Sequence, residues 1–208
     1  MLPDSPPYMK SDEAIARQLS ELQKKVEGLD RQRSGANRLI DSAVLAAPAA
    51  TVTFANIPNI YDHLLILYYV RSTRAAAFDY IRIRFNGDVG NNYDWLRVQM
   101  STAGFAPGGL VGTNEMEVGL ISGATAPANT FDMGCTRINS YGNTSNHKSV
   151  LGMSGTKTAN ALANLNVSLH SGWWRAAAAI ATILLFPIIG PNFDTGSRFD
   201  LYGIQGGA

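Results

Sequence analysis

The stretch Tyr80-Ile81-Arg82-Ile83-Arg84-Phe85-Asn86-Gly87 decides the fold class. Ile81, Ile83 and Phe85 alternate with Tyr80, Arg82 and Arg84. A period of two places alternate side chains on opposite faces, so these residues predict a half-buried β-strand. Asn86-Gly87 then marks a tight turn, because both residue types tolerate a positive φ. Upstream, Leu64 to Val70 (LLILYYV) is a continuous apolar run, expected to be a strand covered on both faces. Further strand candidates lie at 50–55, 94–100, 115–121, 130–138, 148–154, 164–170, 178–186 and 198–204. Clusters of Gly, Asn, Ser, Thr and Pro separate them, as in GFAPGG, SYGNTSN and GPNFDTGS. Many short strands at this spacing, with no long helical window between them, predict an antiparallel β-sandwich of jelly-roll type or a barrel.

Outward toward the N-terminus the period changes. In IARQLSELQKKVEGLDRQ the apolar residues are Ile15, Leu19, Leu22, Val26 and Leu29, at gaps of four, three, four and three. This is the heptad spacing of a coiled coil, with Leu19 and Val26 at a and Ile15, Leu22 and Leu29 at d. Lys25 then falls at g and Asp30 at the following e, a spacing that pairs parallel neighbours. Ser11 is a good N-cap, Asp12 and Glu13 suit the first turn, and Gly35 suits the C-terminal cap. The predicted organisation is an extended Pro-rich anchor at 1–10, an oligomerising helical stem at 11–35 and a β-domain at 36–208. Two other readings of the helix stand beside the coiled coil: it packs on its own β-domain, or on a different protein. An ordinary amphipathic helix carries a wider stripe than a/d alone, which favours the coiled coil.

The 208 residues allow one sizeable domain plus an appendage. The charged fraction of 16% is low, which suggests a surface partly hidden against copies of itself. The formal net charge is +1 and no basic block occurs, so no nucleic-acid partner is expected. One cysteine, Cys135, allows no intrachain disulfide and no cysteine-based metal site. MLPDSPPYMK lacks the pattern of a signal peptide, and the apolar run from Ala176 to Ile189 is short for a bilayer and broken by Pro187. It reads as a buried strand, and no membrane contact is expected.

No catalytic constellation is visible. His63, His147 and His170 are each isolated, and HExxH, GxSxG and phosphate-cradling loops do not occur. No catalytic residue, cofactor or metal is therefore assigned. FNGDVGNNYD is rich in oxygen ligands, but its spacing does not match a calcium loop and suits a turn. Trp173-Trp174-Arg175 is the most provocative local feature, and these three are the candidates for surface binding. Adjacent tryptophans in a strand face opposite ways, so one belongs to the core and one to a rim or an interface. An enzyme such as a glycan hydrolase needs a pair of carboxylates, and no pair is marked.

The phrases TFANIP, YDHLLILYYVRS, RFNGD, NNYDW and GSRFDLYGIQ follow one another across about residues 38–205. This succession resembles small structural proteins of tailed bacteriophages: tail-associated, fibre-like or head-decorating virion components. The resemblance implies a short anchor, a helical stem and a β-sandwich head, commonly as a homotrimer. It implies other virion proteins of capsid or tail as partners, a virion location and a non-enzymatic role. The alternative is a receptor- or carbohydrate-binding module that contacts a host surface glycan. The last phrase predicts a closing strand through Phe199, Leu201 and, less regularly, Tyr202 and Ile204, with Gly203 permitting a bulge.

Overall fold

The computed structural model describes residues 15–25, 37–161 and 164–205. The chain divides into two units, Met1–Ala36 with Gly206–Ala208, and Asn37–Gln205. In the first unit, residues 15–25 form a helix, α1. Leu19 and Leu22 lie on it, and both are exposed. Val26, Leu29 and Asp30 lie outside the described residues, as do the anchor at 1–10 and the expected helix caps.

The described residues of the second unit form twelve strands: β1 Arg38–Val44, β2 Val52–Phe54, β3 His63–Val70, β4 Phe78–Phe85, β5 Tyr93–Ser101, β6 Gly104–Thr113, β7 Met116–Ser122, β8 Asp132–Asn139, β9 Lys148–Lys157, β10 Leu165–Trp174, β11 Ile183–Pro187 and β12 Arg198–Ile204. They form two antiparallel sheets. The larger has the order β1-β12-β3-β8-β9-β10-β5-β6, and the smaller β2-β11-β4-β7. Each predicted strand region contains an observed strand. The segment 178–186 is strand only from Ile183, and β1 and β6 were not anticipated. In β6 the Gly and Pro residues of GFAPGG occur in an edge strand, where a missing N–H donor is tolerated.

Inner faces of both sheets meet in one core. Ile66 and Tyr68 of β3, Ile81 and Ile83 of β4, and Leu185 of β11 are among its members. Asn86 and Gly87 make the expected turn, with φ of 52° and 67° and a bond from Asp88 N to Phe85 O of 2.9 Å. The strand after this turn does not fold back on β4. It enters the other sheet, where β5 pairs with β10 and β6. Two expectations about burial need correction. Leu64 to Val70 is covered on one face only: Leu64, Ile66, Tyr68 and Val70 are buried, but Leu67 and Tyr69 are exposed. Conversely, β4 is not half-open, because Arg82 is buried as well. The irregularity of the β1–β12 pair falls not at Gly203, which pairs with Arg38, but in β1 between Leu39 and Asp41, opposite Tyr202 and Leu201. At Gly203 a Cβ would come within 2.2 Å of the Tyr61 ring, so glycine admits that ring.

β7 is the element that organises the site. It is an edge strand of the smaller sheet, yet all its residues are buried. Its open edge lies on the inner face of the larger sheet, which covers backbone groups that an exposed edge would leave unpaired. Leu120 N donates to Ser154 Oγ at 2.9 Å, and Thr156 Oγ1 donates to Leu120 O at 2.9 Å. A Cβ on Gly152 would lie 2.3 Å from the Val118 carbonyl oxygen. Small and hydroxylated residues on β9 thus let β7 seat closely and replace its missing strand partner.

Candidate functional site

Two places gather chemistry, one inside the two-sheet unit and one on its surface. The interior place is centred on Glu117 of β7, which is 1% exposed. A register shift between Ile81 and Arg82 pairs Arg82 with Glu117, so the carboxylate sits beside a guanidinium of the neighbouring strand. Arg97 Nη1 of β5 donates to Glu117 Oε1 at 2.6 Å, and Arg82 Nη2 donates to Oε2 at 3.3 Å. Glu115 extends the network, accepting from Arg84 Nη2 at 2.6 Å. Both interior guanidiniums also lie over rings, Arg97 over Tyr80 at 4.3 Å and Arg82 over Trp95 at 4.7 Å. Such contacts suit desolvated cations.

His170 of β10 completes the cluster. Its Nδ1 lies 3.7 Å from Glu117 Oε1, and its Nε2 is 3.0 Å from Ser168 Oγ. Ser168 Oγ in turn is 2.6 Å from Ser154 Oγ. Burial, then the charges of Arg97 and Arg82, push the imidazole pKa down to about 3. The ring is therefore neutral, and its contact with Glu117 is not an ion pair. Burial also raises the pKa of Glu117, against the lowering pull of Arg97 and Arg82. An acid beside a neutral histidine could in principle exchange protons with a substrate. Here both side chains are closed off from solvent, and the cluster instead bridges β7 to the larger sheet. Periodicity gave no signal for it, since Glu117 and Arg97 look like ordinary outward positions.

The surface place includes the aromatic run. Trp174 is buried, tilted against Phe85 at 5.4 Å and stacked near Tyr93 at 6.4 Å. Its indole Nε1 donates to Asp88 Oδ2 at 2.7 Å. Trp173 points the other way and is 48% exposed. It lines a groove of about 630 Å³ with Asp94, Trp95, Leu96 and the 107–111 segment of β6. Arg175 stands beside it, with Nε 3.3 Å from Asp94 Oδ2 and Nη2 donating to Asn91 O at 2.5 Å.

The loop FNGDVGNNYD uses its oxygens internally. Asp88 accepts from Trp174, from Asn92 Nδ2 at 2.9 Å and from Gly90 N at 2.8 Å. Burial would raise the Asp88 pKa, but these bonds outweigh it and hold the carboxyl below its usual value. Among the described residues no group of three or more His, Cys, Asp or Glu side chains is gathered as a metal site. Nor is any described helix long and apolar enough to cross a membrane.

The outer face of the larger sheet extends this surface. Strand register places Leu67, Cys135, Met153, Leu169 and Val98 side by side across β3, β8, β9, β10 and β5. A second row runs parallel: Tyr69, Met133, Gly155, Val167, Met100 and Phe105. Gly155 leaves a hollow of about 460 Å³ between its neighbours. Of the stem residues, Ile15, Leu19 and Leu22 are 54%, 57% and 58% exposed, and Lys25 is exposed too. No family model and no curated protein sequence matches the chain.

Proposed function

We propose that this chain is a non-enzymatic structural protein of a tailed-phage virion, an oligomeric fibre-like or decoration component. In this reading residues 1–10 dock on a capsid or tail partner, the helices of sister chains join as a trimeric coiled coil, and the two-sheet body is displayed. The observation that carries it is the exposed heptad stripe of Ile15, Leu19 and Leu22 ahead of a rigid β-body. A narrow apolar stripe left open on a helix calls for another helix. Strand order adds support. The smaller sheet matches one half of a jelly roll, and β3, β10, β5 and β6 match the other, with the β8–β9 hairpin inserted. Jelly rolls recur in viral capsid and lectin domains. The sealed Glu117–His170 cluster favours a structural role over catalysis.

Light scattering on the full chain in dilute solution is expected to give three times 22.3 kDa. Leu19→Asp with Leu22→Asp should lower that mass by removing the helical seam. An unchanged mass in dilute solution would refute the stem. Electron microscopy of particles labelled with an antibody against the chain tests the virion assignment. Finding the chain only in the particle-free fraction would refute it.

One observation favours a second reading, a receptor- or carbohydrate-binding module. Half-exposed Trp173 beside the Asp94–Arg175 pair offers an apolar ring next to polar groups, the usual make-up of a sugar platform. A glycan array on the full chain, repeated with Trp173→Ala, separates the readings.

A further inference from the structure

Sheets of this kind usually bury one apolar face and wet the other. Here the larger sheet buries its inner face in the core and still presents apolar side chains outward. We propose that the outer face of β3, β8, β9, β10 and β5 is a contact surface between copies of this chain. The proposal deepens the oligomeric reading above by naming a second surface, and it stands on different residues.

Area is the first argument. About a dozen half-exposed apolar side chains on this face amount to on the order of 1,000 Å². An ordinary monomer's largest patch is about 300–600 Å², while each partner in a standard interface contributes about 800 Å². Composition is the second. The centre of the face holds Leu, Met, Val and Cys, with Arg137 as its charged member. Both signs occur at one margin, where Arg198 Nε donates to Asp200 Oδ2 at 2.7 Å. Depletion of charge at the centre with methionine enriched is the make-up of an interface core. A strongly acidic or basic partner finds no complement here.

Shape is the third argument. Met133, 74% exposed, projects directly beside the hollow over Gly155. Nothing lies within 4 Å of a Cβ built at Gly155. A second copy apposed face to face brings its own projecting Met133 and its own hollow, so one surface supplies both knob and hole. Self-complementarity of this kind is what a symmetric contact requires. The fourth argument is economy. The helix carries its own exposed apolar stripe, and copies of this chain cover both surfaces, the stripe within a trimer and the face between trimers, where a foreign partner would have to match each separately.

Cys135 is the chain's one cysteine and lies between Leu67 and Met153 at the centre of this face. It is partly exposed, which makes it a built-in reporter. The test measures maleimide alkylation of Cys135 and light-scattering mass across a range of protein concentrations. It compares the wild-type full chain, a face variant (Met153→Lys with Leu169→Lys) and the stem variant (Leu19→Asp with Leu22→Asp). Met133→Gln replaces the face variant if the lysine pair does not fold.

We expect alkylation of the wild type and of the stem variant to slow at least tenfold as concentration rises. The face variant should react at the dilute rate throughout. If alkylation is independent of concentration while the wild type is oligomeric, the face is not the contact, and the stem reading stands alone. If the stem variant is monomeric at every concentration with unchanged alkylation, the proposal falls. If the stem variant associates and shields Cys135, the face holds whatever becomes of the helix. Should wild-type chain instead float with phosphatidylcholine vesicles as a monomer, the occupant is lipid and the proposal is overturned.

Discussion

Replacing Glu117 by Gln tests the interior of the molecule with minimal change of shape. The carboxylate accepts from Arg97 at 2.6 Å and from Arg82 at 3.3 Å, and it is closed off from water. Gln keeps the volume but removes the charge, and its amide nitrogen turns a donor toward a guanidinium donor. Part-buried Arg97 then loses its carboxylate partner, and buried Arg82 keeps only Glu115, at 3.4 Å. Removing one partner of a buried pair costs about 3–5 kcal/mol, most of it from the charge left behind. For a body of this size each kcal/mol lowers Tm by about 2–4 °C, so the expected drop is about 6–20 °C. Urea unfolding followed by tryptophan fluorescence is the assay, run on the full chain at fixed concentration because association shifts apparent stability. Trp95 lies under both guanidiniums, 4.7 Å from Arg82 and 5.9 Å from Arg97, and reports on the same place. A loss below about 1 kcal/mol would refute the argument, because it would mean that water reaches the cluster and screens it.

Acidity supplies the next prediction. His170, lowered from 6.5 to about 3 by burial and the adjacent arginines, contributes its full stability above pH 6.5 and loses it as pH falls toward 3. Asp132 runs the other way: burial raises it from 3.8 to about 6, so its contribution is complete below 3.8 and fades as pH rises to about 6. Each slope is about 1.4 kcal/mol per pH unit, and they oppose one another between about pH 4 and pH 6. His170→Gln should therefore gain stability relative to wild type on acidification through that window, and Asp132→Asn should lose it; superimposable profiles from urea unfolding would sink the assignment. Packing supplies another prediction: Gly152→Ala forces a Cβ to 2.3 Å from the Val118 carbonyl and should cost about 1–3 kcal/mol or more. Gly155→Ala, on the same strand with open space, should stay within about 0.5 kcal/mol. Equal stabilities for the two would show that β7 does not seat against β9.

Local chemistry was legible wherever it depends on neighbours in the chain. The alternation in Tyr80 to Phe85 gave β4, and the Asn86-Gly87 pair gave the turn, because a positive φ is a property of residue type. Separation of Trp173 from Trp174 followed from the same period of two. The heptad spacing placed Ile15, Leu19 and Leu22 on one helix. Cover was not legible. Leu67 and Tyr69 look like core residues in LLILYYV, and Arg82 looks like a surface residue, yet their exposures are reversed. The Glu117 cluster was missed for this reason: its members come from four strands and meet only when β7 lies against the larger sheet. A small signal existed in Ser154, Thr156 and Ser168, hydroxyls at inward positions where apolar residues would be expected.

By itself, then, the sequence determined the class of most elements, β1 and β6 excepted: β-strands by period two, a helix by period three and a half, turns by residues that accept a left-handed backbone. Tertiary structure alone decided that β5 leaves β4 for the other sheet, that β11 lies between β2 and β4, and which face of each strand meets water. The reason is physical. A period says that two faces differ, but what covers a face is set by strands distant in sequence, whose pairing depends on closing the whole core at once.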